Sequence, residues 1–403
     1  MVNKYAPSYR ILTFLFGVVL SCGVFAQTNL GWIQRSQFIG PARHRATAQA
    51  AGNRGYVGLG HINSVVDVLF DDWYEYDPGT DTWMQKANFP AGPRFHCASF
   101  VINDKIYVGT GRDVNATLYN DFYKYDPTTN TWSTIASFPG APRRGAVGFT
   151  INGYGYVGTG SYHSNFFKYD PTGNVWTPIA NLPGTGRISA VGFAIGDKGY
   201  VTTGDESGPM GDIWEYDPNS DTWTSRAPLP GLPRMEAGGF AYMGKGYVGC
   251  GDDVSSGTNY QDFWCFDPVA DSWIQVTDFA GAARRYLSCL VIGNRAFAGL
   301  GTSGINYNDF WEYGFISDVN ENSQDAMTIG PNPFLTSTTV HFTNELVHAK
   351  YSICDLQGKV VRQVSDVNGK EIEIQQEELT SGIYLLRVDN GEEKPLISKL
   401  IIQ

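Results

Sequence analysis

The stretch YDPTTNTW (125–132) returns along the chain as YDPGTDTW (76–83), YDPTGNVW (169–176), YDPNSDTW (216–223) and FDPVADSW (266–273). In each copy an Asp-Pro pair opens a turn: Pro fixes φ at the second turn position and Asp accepts backbone N–H groups. The Asp precedes its Trp by 6 positions every time. From the Trp to the next arginine (Arg94, Arg143, Arg187, Arg234, Arg284) is always 11 positions, and from that arginine to the aromatic opening a Gly-rich strand such as YVGTG (107–111) is always 13. Spacing held this tightly predicts four short strands joined by fixed hairpins, each unit stacked on the next. Alternating segments such as HCASFVI (96–102) and DKIYVGT (104–110) read as strands A and B. DFYKY (121–125) reads as strand C, and the Trp heads strand D.

The Gly-rich strand occurs six times but the Asp-Pro-Trp turn five. The last C strand, DFWEYGF (309–315), has Gly314 where the Asp belongs. At the other end, GWIQRSQFIGPAR (31–43) begins with Trp32, reaches Arg43 in 11 positions, and meets Tyr56 13 later. Trp32 therefore heads a D strand with no A, B or C before it. A ring in which this strand completes the sixth unit joins both ends of the domain and removes open sheet edges. The expected fold is all-β: a six-bladed β-propeller over residues 27–315, closed by its N-terminal strand. With 47 Gly and 20 Pro the chain is punctuated too often for long helices, and 42% hydrophobic residues supply a large core. The Gly strand, the Tyr-x-Tyr-Asp segment, the Trp and the Pro-x-x-Arg approach together resemble kelch repeats over about residues 31–315, with Gly-x-Gly in place of the usual adjacent glycine pair.

Lys4 and Arg10 precede the apolar run ILTFLFGVVL (11–20), and Val24-Phe25-Ala26 stands before Gln27. This is the pattern of a secretory signal peptide over 1–26, with no transmembrane span in the mature chain. Leu20-Ser21-Cys22 matches a lipoprotein signal poorly. The remaining cysteines (Cys97, Cys250, Cys265, Cys289, Cys354) are odd in number and scattered, neither a disulfide scaffold nor a zinc pattern. Cys250 and Cys265 flank one loop and could pair, but buried free thiols are the favoured reading. A net charge of −11 and no Lys/Arg run argue against nucleic acid as a partner.

Residues 316–326 are polar and read as a linker. Residues 327–403 give short alternating strands between turns, the pattern of a small Ig-like β-sandwich. The motifs Pro331-Asn332-Pro333-Phe334, Asp355-Leu356-Gln357-Gly358-Lys359-Val360, Ser381-Gly382-Ile383-Tyr384 and Lys399-Leu400-Ile401-Ile402 resemble the C-terminal sorting domain of the type IX secretion system of Gram-negative bacteria. The resemblance implies the outer-membrane type IX machinery as a partner of residues 327–403. It also implies a secreted protein, extracellular or attached to the outer cell surface.

Between the Gly strand and the turn the spacing is free: from aromatic to Asp it runs 21, 19, 14, 17 and 20 positions. These B–C loops share a face with the D–A connections, and loops that vary on a rigid scaffold are where binding residues concentrate. Arg43, Arg94, Arg143, Arg187, Arg234 and Arg284 recur in every blade, so they are expected to be scaffold, bonding loop carbonyls. Two positions further on the residues differ: Arg45, His96, Gly145, Ser189, Glu236, Tyr286. In kelch proteins that bind on this face the matching positions touch ligand, so the resemblance implies a recognition ring here. Arg112, Tyr162, His163, Asp205, Glu206, Asp252, Asp253 and Tyr260 are expected to form its rim.

The expected ligand is a glycan or a protein, and no catalytic residue is singled out. His44, His61, His96 and His163 fall on this face without metal-ligand spacing, so no metal site and no cofactor are expected. Asp252-Asp253 and Asp205-Glu206 are the kind of pairs that hold calcium, though acidic loops are commonly only solvated. The copper site of kelch-like galactose oxidases, with its Tyr–Cys cross-link, finds no equivalent. The alternative is a carbohydrate-active enzyme on the same face, mutarotase- or oxidase-like. Sialic-acid mutarotases share the six-bladed kelch form, and Arg45, Glu236 and His96 suit an acidic sugar.

Overall fold

The structure, a computed structural model, describes residues 30–63, 67–253, 256–315, 327–355, 360–377, 379–391 and 395–402. The signal peptide (1–26), the linker (316–326) and the 356–359 part of the tail motif lie outside the described residues. Residues 30–315 and 327–402 belong to two separate compact units.

The first unit is built from six four-stranded antiparallel sheets. Blade two is typical: A (Ala98–Ile102), B (Lys105–Gly109), C (Phe122–Asp126) and D (Thr131–Thr134) lie side by side in chain order. The six A strands lie each beside the next, and the last beside the first, so they line a closed ring. Their alternation explains the arrangement: in Ala98–Ile102 every second residue is buried between blades. The residues between them are short, with Ser99, Gly148, Gly192 and Gly239 at one equivalent position. The Gly strand is equally constrained. A Cβ at Gly109 would lie 2.3 Å from the carbonyl oxygen of Asp121 and the ring of Phe122, so only Gly lets strand C pass. Gly111, at φ +97°, turns the chain out of the blade in a conformation that disfavours any side chain.

The eight-residue repeat is a clamp between blades. Tyr125 donates its hydroxyl hydrogen to Asn130 Oδ1 (2.8 Å), and the same oxygen accepts the N–H of Ala87 at the end of the preceding D strand (2.9 Å). Trp132 Nε1–H then donates to the carbonyl of Ala87 (2.9 Å), so one residue is held at both its backbone groups. The same grip recurs on Ser36, Ala136, Ala180 and Ala227, through Trp83, Trp176, Trp223 and Trp273. Each bond contributes about 1 kcal/mol net, and edge-on aromatic packing adds to it, as for Trp132 on Trp73 (5.4 Å) and on Phe89 (5.2 Å).

Blade six joins Ser288–Ile292, Arg295–Gly299 and Phe310–Phe315 to Leu30–Arg35, with Trp32 opposite Tyr313. Because its D strand comes from the other end of the chain, no C–D turn exists and none of the Asp-Pro machinery is needed. Trp32 Nε1 donates instead to the carbonyl of Thr277 (3.3 Å), and Thr277 Oγ1 donates to the carbonyl of Leu30 (2.6 Å). The five cysteines from Cys97 to Cys354 are free thiols, including Cys250 and Cys265.

The second unit is a five-stranded antiparallel sheet: Met327–Gly330, Ser337–Cys354, Val360–Gln375, Gly382–Asp389 and Leu396–Ile402. Ser337–Cys354 pairs first with Met327–Gly330 and later with Gly382–Asp389, and its register with Val360–Gln375 shifts between His341 and Leu346 and again before Ala349. Such irregularities bend strands, and the unit has one core that includes Val340, Phe342, Ile353, Ile374, Leu386 and Leu400. The Pro-Asn-Pro-Phe motif fastens the last strand. Asn332 accepts the N–H of Ile401 (2.8 Å) and donates to the carbonyl of Lys399 (2.7 Å), while Phe334 N–H donates to the carbonyl of Ile401 (3.0 Å). Among the described residues no helix is long and apolar enough to cross a membrane.

Candidate functional site

The repeated arginines sit in buried sockets. Each donates from Nη1 to the carbonyl of the residue 16 positions on, at the end of its own B strand: Leu59, Thr110, Thr159, Thr203, Cys250 and Leu300. In five blades a carboxylate immediately before strand C completes the socket with two hydrogen bonds. These are Arg43–Asp72, Arg94–Asp121, Arg187–Asp212, Arg234–Asp262 and Arg284–Asp309. Paired and bonded this way, a guanidinium can be buried at tolerable cost.

Two residues on, the chain repeats a different feature. Arg45, His96, Gly145, Ser189, Glu236 and Tyr286 all have positive φ, between 54° and 64°. For a residue with a side chain this costs about 1–2 kcal/mol. The conformation aims each N–H at the preceding blade: His96 to Arg45, Gly145 to His96, Ser189 to Gly145, Glu236 to Ser189 and Tyr286 to Glu236 (2.7–3.2 Å). Backbone bonds therefore fix the ring and leave five side chains free to vary. Gly145 is not free: a Cβ there would lie 2.6 Å from Ile188.

Four of those side chains, Arg45, His96, Glu236 and Tyr286, meet at the mouth of the channel. Arg45 bonds the Tyr286 hydroxyl and stacks over its ring at 4.0 Å, and its Nη1 lies 3.2 Å from His61 Nε2. Glu236 lies 3.7 Å from Arg45 and 3.2 Å from Arg285, which also bonds Asp252 (3.0 Å). His44 and His61 face one another at 4.2 Å, and His96 packs edge-on to Tyr286 at 5.1 Å. Burial and neighbouring positive charge hold His44 and His61 down at about 3 and push His96 well below its usual range. All three are neutral at pH 7. Burial raises Glu236 to about 7, with Asp252 adding to the rise and Arg45 and Arg285 opposing it. The mouth retains unused polar capacity: His44 Nε2, Arg45 Nε, His61 Nδ1, His96 Nδ1 and Asp252 Oδ1 are buried without a hydrogen-bond partner among the described residues.

Of the expected rim, Arg112 lies 6.0 Å over the Phe95 ring, and Asp205 accepts from the Tyr162 hydroxyl (2.8 Å). Glu206 Oε1 accepts the N–H of Thr185 (3.1 Å). Tyr260 stacks on the socket guanidinium of Arg234 at 4.8 Å and, with Asp253, Pro209 and Leu232, lines an open groove of about 470 Å³ between blades four and five. Two residues stand elsewhere than expected. Asp252 is buried, because Arg285 draws it into the central cluster, and so it is no rim residue. His163 occupies blade three's counterpart of the position where Tyr119 caps Arg94, in the socket ring. Ser189 keeps its ring place but is buried.

Sequence reasoning missed Arg144 and Arg285, which directly follow repeat arginines and point to the mouth's charge balance rather than the socket's. The Arg-Arg doublets at 143–144 and 284–285 were the available signal. Burial pushes the Arg144 guanidinium down, Arg112 and Arg45 add to the shift and Glu236 opposes it, so three arginines bring positive charge together over blades one to three. Neither Arg112 nor Arg144 forms an ion pair within 4 Å among the described residues, although Glu236 acts on Arg144 from farther away. The socket aspartates were missed as well, although an Asp before strand C in five of six blades was visible. Among the described residues no three of His, Cys, Asp and Glu come together as metal ligands.

Comparison with known proteins follows the same division. Residues 328–403 match the secretion system C-terminal sorting domain, and residues 93–139 match the kelch motif. Two N-acetylneuraminate epimerases, of Brucella suis and Brucella melitensis, are each 39% identical over 59 residues, which is 14% of this chain and 15% of theirs. The solved structure titled "Structure of YjhT" matches with a TM-score of 0.58 and 19% identity, over 68% of this chain and 95% of that one. At that identity it shares the fold. The sorting domain marks the protein for type IX export, to the cell surface or the extracellular space. The chain is a kelch-type propeller carrying a type IX secretion C-terminal sorting domain.

Proposed function

We propose that the exported propeller binds a glycan on its loop face, and that the sugar it takes is acidic. The observation that carries this reading is the group of Arg45, Arg112 and Arg144: Arg112 and Arg144 form no ion pair within 4 Å among the described residues, and Arg45 shares Glu236 with Arg285. It lies beside buried histidine nitrogens with no partner. A carboxylate over blades one to three would accept charge-assisted hydrogen bonds there, while the sugar's hydroxyls and amide would face Glu236 and Tyr286. The name of the Brucella relatives, N-acetylneuraminate epimerase, agrees with an acidic sugar. N-acetylneuraminate titrated into isotopically labelled protein should shift the resonances of the mouth residues. Shifts confined to the outer D strands, or none at millimolar sugar, would sink the reading.

A second reading is favoured by Glu236. A carboxyl near pH 7 beside a guanidinium suits proton transfer to and from a sugar oxygen. On that reading the protein interconverts sugar anomers. It is separated from binding alone by following the anomer signals of freshly dissolved N-acetylneuraminate with catalytic amounts of protein.

A further inference from the structure

Blade three breaks the socket rule. Asn165 stands where the other blades have Asp72, Asp121, Asp212, Asp262 and Asp309. Arg143 is 0% exposed. Its Nη1 donates to Asn165 Oδ1 (2.8 Å) and to the carbonyl of Thr159 (2.8 Å), and its Nε donates to the carbonyl of Ala141 (2.9 Å). Its Nη2 is buried without a partner among the described residues. The side chain is thus positioned as in blades one, five and six, but its charge meets no carboxylate there. Burial pushes this guanidinium down to about 10, and its charge in turn helps hold His163 below the usual histidine range.

The departure has a location that matters. Arg144, the next residue, belongs to the positive field of the mouth, and blade three has the shortest connection from Gly strand to turn, 14 positions. Asn and Asp have nearly the same volume and both accept from Nη1. The choice of Asn therefore preserves the socket's shape while leaving one more net positive charge in this sector. An unneutralised buried charge acts over longer distances than an exposed one, because solvent and salt screen it less.

We propose that Asn165 is a specificity determinant of the loop face: by withholding the carboxylate that neutralises the repeat arginine elsewhere, it leaves Arg143 as a positive charge behind Arg144 and biases the mouth toward anionic ligands. This rests on the acidic-sugar reading above and adds to it the residue that tunes the preference.

Two variants of the full chain test it, with N-acetylneuraminate as the probe in titration calorimetry and thermal melting alongside. Asn165→Asp introduces the charge. It should raise the melting temperature by completing the pair and weaken the sugar's affinity by about threefold to tenfold at low salt, the loss shrinking as salt is added. Asn165→Ala removes the hydrogen bond without adding charge. It should lower the melting temperature and leave the affinity unchanged. Equal affinity in wild type and Asn165→Asp overturns this proposal alone. An equal loss in Asn165→Ala overturns it too, by showing that socket shape and not charge is what the mouth feels. A wild type that does not bind the probe overturns the acidic-sugar reading and this proposal with it.

Discussion

In blade five, Arg234 and Glu236 stand two residues apart and have opposite circumstances. Arg234 is buried, donates twice to Asp262 and once to the carbonyl of Cys250, and has a counterpart in every blade. Glu236 shares its backbone conformation with five other residues but its side chain with none, and it lies between two arginines from other blades. One ring makes its side-chain hydrogen bonds within the blade that owns it. The other is fixed by backbone bonds between blades, and its side chains keep polar atoms unused. A repeat protein can thus separate constancy from variation within three residues: the frame is written in the main chain and the variable chemistry in what hangs from it.

The harshest way to break the frame is to remove its clasp. A chain beginning after Arg43 loses Leu30–Arg35, and with it the D strand of blade six and the Trp32 contacts. It should aggregate or lose its cooperative melt. An unchanged melting curve by circular dichroism would contradict closure by the N-terminal strand.

Acid should act on the mouth before the sockets. His44 and His61 titrate near 3 in the folded protein against 6.5 unfolded, so the stability they contribute is complete above about 6.5 and lost as pH falls toward 3. Glu236, raised from 4.5 to about 7, has the opposite sign: its contribution is complete below 4.5 and lost as pH rises through 7. Between pH 4.5 and 6.5 the histidines outnumber it, and each changes stability by up to about 1.4 kcal/mol per pH unit. Denaturant midpoints should therefore fall from pH 6.5 to 4.5, and less steeply in His61→Gln. Identical slopes in the two proteins would show that His61 is not held neutral.

Within the sockets, Arg234→Ala leaves the Asp262 carboxylate without its partner and should cost about 3 kcal/mol. Urea unfolding reads this directly. A loss below 1 kcal/mol, a value at which surface pairs typically lie, would put this arginine on the recognition side of the comparison.

The sequence carried the frame well because the frame is periodic. Trp32 at the repeat's spacing from Arg43 sufficed to place the closing strand, and Tyr125, Asn130 and Trp132 already spelled out the clamp. The variable ring was legible as positions, since variation at a fixed register is itself a pattern. What the side chains do there was not, because their partners come from other blades. Arg45 reaches Tyr286, 241 residues away, and Glu236 is shared between Arg45 and Arg285. Asp252 looked like a loop carboxylate until the fold brought Arg285 to it. In the tail, alternation revealed the strands but not the register shifts between the two long ones, since bulges leave no periodic trace.

The distinction between socket and mouth is tested most directly at Arg144, a mouth arginine that forms no ion pair within 4 Å among the described residues. Calorimetric titration of N-acetylneuraminate into wild type and Arg144→Ala, with melting temperatures of both, decides it. A hydrogen bond between charged groups is worth about 1.5–3 kcal/mol. Binding should weaken about tenfold or more, with the melting temperature unchanged. Unchanged affinity, or a loss of stability like that of Arg234→Ala, would contradict it.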